Sequence, residues 1–192
     1  MKDCKNFIGL FFIPKPHYSI SSKVINMQQK LYTCCFSGHR ILPSAHVEPL
    51  FSHLVLCLKE LIAKGFYSFA TGGACGFDTM AAETILTLKA EFPQIRLIVV
   101  APFADQAANR PYSDILQYER IREACDEYIC LSSAYAPGCM RRRNQYLVDM
   151  SSLCVCYLTS NRSGTSQTVA YANRQGVEVI NLAPSLMPPD YQ

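Results

Sequence analysis

Short apolar runs rich in β-branched and aromatic residues alternate along the chain with longer stretches whose apolar positions recur at threes and fours. The runs predict strands over Leu31 to Ser37, Phe66 to Ala70, Arg96 to Ala101, Glu127 to Leu131, Leu153 to Leu158 and Val177 to Leu182. Their starts fall 24 to 35 residues apart, room for a strand and a crossover helix. Leu50, Leu54, Leu58, Leu61 and Ile62 form one helical stripe, which reads as core. Further helices are expected from near Gly76 to Leu88, ahead of Pro93, over Asp114 to Glu123 and over Met140 to Met150. A last one starts after Gly164-Thr165 and ends near Gln175-Gly176, with glycine in the C-cap place. This alternation predicts an α/β fold in a single domain, with a mainly parallel sheet of about six strands and helices on both faces.

Three polar turns follow apolar runs: Ser37-Gly38-His39-Arg40, Thr71-Gly72-Gly73-Ala74-Cys75-Gly76-Phe77-Asp78, and Asn161-Arg162-Ser163-Gly164-Thr165-Ser166. If the runs are parallel strands, all three emerge at one carboxyl edge, where backbone N–H groups and helix N-termini converge on a phosphate. Gly72, Gly73 and Gly76 permit a backbone approach that a Cβ would block, although a tight strand-to-helix turn without a ligand has the same composition. At the third turn, an anion contact through Gly164 and Thr165 stands beside simple N-capping by Ser163 or Thr165. Arg40 suits a bidentate phosphate contact or an ordinary surface position. His39 reads as a hydrogen-bonded loop residue, and Asp78 as a first-turn carboxylate favoured by the helix dipole.

The remaining composition narrows the picture modestly. A net charge of +3 with 17% charged residues is too mild to announce a nucleic-acid or membrane partner. Arg141, Arg142 and Arg143 are consecutive, so on a helix they point in different directions and cannot all reach one ligand. Ten cysteines include a CC pair (Cys34, Cys35) and a CxC pair (Cys154, Cys156) but no CxxC, which reads as reduced core thiols in a cytoplasmic protein. His46 and His53 lack partners at zinc spacing, so no metal is expected. Residues 1–30 read as a poorly ordered extension, with a signal-like Phe7 to Ile13 run interrupted by Pro14 and with Met27 as an alternative start. Residues 31–183 read as the domain, and 184–192, with Pro184, Pro188 and Pro189, as an irregular tail.

The ordered set Ser37-Gly38-His39-Arg40, Thr71-Gly72-Gly73 with Gly76 and Asp78, Met140, Arg143-Asn144, Asp149, Gly164-Thr165 and Tyr171-Ala172 resembles the YpsA-like branch of the SLOG superfamily. The resemblance spans Leu31 to Leu182. It implies a Rossmann-like fold and a small-molecule, nucleotide-derived ligand, with self-association common among relatives, so a homo-oligomer is allowed. Relatives named LOG hydrolyse the N-glycosidic bond of cytokinin nucleoside monophosphates, using an arginine in a Met-x-x-Arg-Lys segment and a glutamate after a Gly-Gly-x-Gly-Thr turn. Met140-Arg141-Arg142-Arg143-Asn144 is similar to the first, which puts Arg143 in the arginine's place. Thr168 stands in the glutamate's place, and Asn161-Arg162-Ser163 replaces the paired glycines.

A threonine supplies no carboxylate to stabilise an oxocarbenium-like transition state. Asp78, Glu83, Asp114 and Glu119 are the other carboxylates considered for such a pocket. The leading expectation is a cytosolic binding protein or sensor for a nucleotide or nucleotide-derived ligand, held by the three turns with Arg143, Asn144 and Thr168. The alternatives are a nucleoside-monophosphate N-glycosidase or transferase, and single-stranded DNA binding of the kind the resemblance to DprA-like superfamily members implies.

Overall fold

In a computed structural model that describes residues 27–184, six strands form one sheet in the order β4-β3-β2-β1-β5-β6. The strands are β1 (Thr33–Gly38), β2 (Ser68–Thr71), β3 (Arg96–Ala101), β4 (Glu127–Cys130), β5 (Leu153–Tyr157) and β6 (Glu178–Asn181). Every neighbouring pair is parallel, with Cys35 opposite Ala70 on one side and Cys154 on the other. The helices are α1 (Met27–Leu31), α2 (Ser44–Ala63), α3 (Phe77–Leu88), α4 (Tyr112–Ala124), α5 (Cys139–Asp149) and α6 (Gly164–Arg174).

The central strands are apolar along their length because helices cover both faces of the sheet. Cys34 and Phe36 of β1 join one core layer with Leu50, Leu54, Leu58 and Leu61 of α2 and Phe77, Ala81 and Ile85 of α3. Cys35 joins the opposite layer with Leu147 and Val148 of α5 and Ala172 of α6. The strands wind outward from β1 to the edge strand β4. The chain then returns through α5 to place β5 against the other side of β1. That reversal opens a crevice beyond the carboxyl ends of β1 and β5, the usual ligand position in such sheets.

The predicted strands are present with small shifts at their ends. β3 has the predicted limits, whereas β1 starts at Thr33 because Met27–Leu31 is a short helix with no buried residue, followed by a turn at Tyr32. Residues 1–26 and 185–192 lie outside the described residues. With them lie the Phe7 to Ile13 run, most of the expected N-terminal extension, and Pro188 and Pro189 of the expected tail. Cys34, Cys35, Cys154 and Cys156 are buried, and the cysteines among the described residues are free thiols.

Asp126 ties α3 to the start of β4. Its carboxylate accepts from the Leu97 N–H at 2.8 Å and from Lys89 Nζ at 2.6 and 2.7 Å. Partial burial alone would raise its pKa, but the Lys89 and Leu97 hydrogen bonds and the charges of Lys89 and Arg96 hold it below the ordinary carboxylate value. A depressed folded-state value gives stability that is present above the unfolded pKa and is lost as pH falls through the folded one. Asp126→Asn should therefore cost about 1 kcal/mol at neutral pH, solvent screening limiting the loss, and the difference from the parent should vanish as pH falls through the lowered folded-state value. Urea denaturation across that pH range measures it.

Candidate functional site

At the carboxyl edge the second turn wraps around a buried ion pair. Asp78, in the first turn of α3, and Arg143, on the inward side of α5, are each only about 5% exposed. Asp78 Oδ2 accepts from the Gly72 N–H at 3.2 Å and the Ala74 N–H at 3.4 Å, and lies 3.9 Å from Arg143 Nη1. The same Nη1 donates to the Gly72 carbonyl. Gly72 thus lies pressed between its two partners, and a Cβ there would overlap the guanidinium. Burial pushes the Asp78 carboxyl above its ordinary value, while Arg143, the two amides and Arg40 pull the other way.

The second turn is also fastened to the first. Phe77 N–H donates to the His39 carbonyl at 3.1 Å, and Gly76 has φ of +74°, with a hypothetical Cβ 2.5 Å from the His39 and Arg40 carbonyl oxygens. His39 itself is a clasp: its Nε2 accepts from the Thr159 N–H at 3.1 Å, and its ring meets Tyr157 edge-on at 5.7 Å.

From Arg143 a chain of polar contacts runs to the third turn. Arg143 Nε donates to Asn144 Oδ1 at 2.8 Å, Asn144 Nδ2 to Thr168 Oγ1 at 2.9 Å, and Thr168 Oγ1 to the Gly164 carbonyl at 2.9 Å. α6 starts with a reciprocal capping box: Ser163 Oγ accepts from the Ser166 N–H at 3.1 Å, and Ser166 Oγ from the Ser163 N–H at 3.0 Å. The Gly164 and Thr165 N–H groups keep no partner among the described residues.

These elements enclose a cavity of about 300 Å³. Ser37, Gly38, His39, Arg40, Asp78, Arg143, Asn144, Gly164 and Thr165 line it together with Met140 and Ser163. The first and third turns therefore meet at one cleft. The second turn reaches it only through Ala74 and Asp78: Thr71, Gly72 and Gly73 do not line the cavity, and the Gly72 and Ala74 amides are committed to Asp78. Gly76 faces a separate groove beside α3, and Thr168 a groove between α5 and α6. Of the arginine triplet only Arg143 reaches the cleft, while Arg142 bonds the Pro137 carbonyl at 3.1 Å and Arg141 borders the α5–α6 groove.

The carboxylates considered from the sequence divide sharply. Asp78 lines the cavity, whereas Glu83 pairs with Arg120, Glu119 with Arg122, and Asp114 accepts from the Cys75 thiol at 3.7 Å. A second compartment of about 200 Å³ adjoins the first, bordered in part by Gln106, Asn109 and Arg110 from the loop after β3. The sequence did not single out Arg110. The available signal was its position after the carboxyl end of a strand, the same edge as the three turns. Among the described residues no three His, Cys, Asp or Glu side chains are grouped to hold a metal, and no helix is long and apolar enough to cross a membrane.

Comparison with known proteins agrees with this architecture. A model described as the YspA SLOG family matches residues 44–182. The uncharacterized SPbeta prophage-derived protein YoqJ of Bacillus subtilis is 30% identical over 134 residues, which cover 63% of this chain and 78% of that protein. UPF0398 protein BH1768 of Halalkalibacterium halodurans is 31% identical over 108 residues, 55% of this chain and 56% of that one. Among solved structures, DNA processing protein A from Helicobacter pylori superposes with a TM-score of 0.54 at 18% identity. The match covers 79% of this chain and 65% of that one, a likeness of fold.

The ion pair and the glycine wedged in it are separately testable. Arg143→Met leaves Asp78 buried without its cation and should cost about 3–5 kcal/mol, part of it regained when Asp78→Asn is added. Gly72→Ala should cost about 1–3 kcal/mol by overpacking against Arg143. Urea midpoints of the three variants give the comparison.

Proposed function

The chain belongs to the YspA SLOG family, and from that premise we propose that it is a cytoplasmic binding protein for a nucleotide or nucleotide-derived ligand, held in the cavity beyond β1 and β5. The observation that carries this reading is the convergence of Ser37 to Arg40 and Ser163 to Thr165 on one 300 Å³ cavity at the point where the sheet reverses its winding. In this reading the Gly164 and Thr165 amides take a phosphate at the positive end of α6. Arg40, exposed at the rim, supplies a forked cation. Arg143 and Asn144 serve mainly to hold α3, α5 and α6 in register, with their cavity-facing edges left for ribose or phosphate oxygens.

N-glycoside hydrolysis is less well supported by the donor set. Thr168 Oγ1 already donates to Gly164 and accepts from Asn144, and Asp78, the one carboxylate among the described cavity residues, is held by two amides and Arg143. Single-stranded DNA is a second reading. It is favoured by the spread of Arg40, Arg110, Arg141 and Arg143 over adjoining cavities and by a fold shared with a protein whose structure describes a single-stranded DNA binding mode.

Gly164 provides the sharpest test, because a Cβ placed there meets nothing within 4 Å. Gly164→Asp should fold normally, an aspartate suiting the first turn of a helix, yet should repel a bound phosphate and weaken binding at least about tenfold. Calorimetry with AMP, ADP-ribose, NAD and cyclic nucleotides reads this, and absence of binding by all of them to the folded parent would refute the proposal. A mobility shift with single-stranded DNA, weakening by about 0.7 log units per tenfold rise in salt for each neutralised phosphate, would instead identify the second reading.

A further inference from the structure

We infer that the compartment beside the proposed phosphate site takes a second phosphoryl group, so that the ligand carries a pyrophosphate, as a nucleoside diphosphate or its ester does. This rests on the nucleotide reading above and adds the class of ligand to it. The two compartments share Arg40, Ala74, Met140 and Arg143 as a common wall, and the smaller adds Arg110 with Gln106 and Asn109.

Charge is the first argument. Arg40, Arg110 and Arg143 border the paired compartments, and Asp78 is the one carboxylate among the described lining residues. Two positive charges are therefore left without a counterion in the lining. Asp114, the neighbouring carboxylate, accepts from the Cys75 thiol and lines neither compartment. Burial holds Arg143 below the usual guanidinium value, and the like charges of Arg40 and Arg110 act in the same direction against the pull of Asp78. An anion placed between the three relieves that repulsion.

Geometry is the second. A single phosphate at the amino end of α6 sits in the larger compartment, whereas Arg110 lines only the smaller one. Arg110 is already aimed: one nitrogen donates to the Gly73 carbonyl at 2.9 Å, and its guanidinium lies 5.1 Å from the Tyr118 ring centroid. Tyr118 is fixed in turn by hydrogen bonds to Gln106 at 2.8 Å and Tyr128 at 3.1 Å. A guanidinium has five N–H donors, so this anchoring orients the group and leaves donors for a ligand. Arg40, with no hydrogen bond of its own among the described residues, stands on the shared wall where it can bridge two phosphoryl groups.

The test is calorimetric titration of the full chain with AMP, ADP and ADP-ribose. ADP and ADP-ribose should each bind about tenfold more tightly than AMP, the gain of one charge-assisted contact. Arg110→Ala should bring the ADP to AMP affinity ratio to about one. Asn109→Asp should do the same by placing a negative charge in the smaller compartment. Asn109 is exposed and makes no side-chain hydrogen bond among the described residues, so this variant remains informative if Arg110→Ala fails to fold. AMP binding as tightly as both diphosphates overturns the second site while leaving the nucleotide reading standing. A gain confined to ADP-ribose and absent with ADP comes from the added ribose and overturns it as well. Failure of all three ligands to bind overturns the second site, and failure of NAD and cyclic nucleotides as well removes the nucleotide reading itself.

Discussion

The Asp78–Arg143 pair sets the geometry on which the carboxyl edge depends. One carboxylate gathers the Gly72 and Ala74 amides, and one guanidinium caps the Gly72 carbonyl, so both polar faces of the turn after β2 are satisfied from within the protein. An isolated charge at either position would be too costly to bury, which makes the two side chains and the wedged glycine a single unit. Because Asp78 belongs to α3 and Arg143 to α5, that unit spans the sheet. It also fixes where α5 begins its contact with α6 through Asn144 and Thr168.

This arrangement commits the turn after β2 to the protein's own side chains. Nucleotide folds of this class commonly offer the glycine-rich turn after an early strand to a phosphate. Here that turn is occupied by a carboxylate of its own chain, and the open donors lie at the start of α6, beside β1. In the proposed site the reversal of winding between β1 and β5 supplies the crevice, α6 supplies amides unpaired among the described residues, and the arginines supply the charge. Each contribution comes from a different stretch of sequence, and none of them constitutes a site alone.

The strand pattern was legible because covered parallel strands are continuous apolar runs. β3 was read with its observed limits, since Leu97 to Ala101 is unbroken. Ends drifted where local sequence is ambiguous: Leu31 looks like strand but closes α1, a five-residue helix that buries nothing. That three turns emerge at one carboxyl edge could be read from the alternation of strands and helices, but not that Gly38 and Gly164 line one cavity while Gly72 lies outside it. What spacing could not supply was which donors are already taken. Asp78 has the sequence signature of a first-turn carboxylate, and only the arrival of Arg143 from α5, together with the backward fold of Gly72 and Ala74, gives it a second role. Arg110 carried no motif, being a lone arginine ahead of a proline in a loop without glycine.

The capping box at Ser163 and Ser166 carries a last consequence. Because the chain closes the amino end of α6 with its own hydroxyls, the helix has no need of a visiting anion to begin. Formation of that helix end is thereby independent of any ligand at the proposed site. A guest in the proposed site would then add stability only by mass action, and a shift in melting temperature would report its abundance.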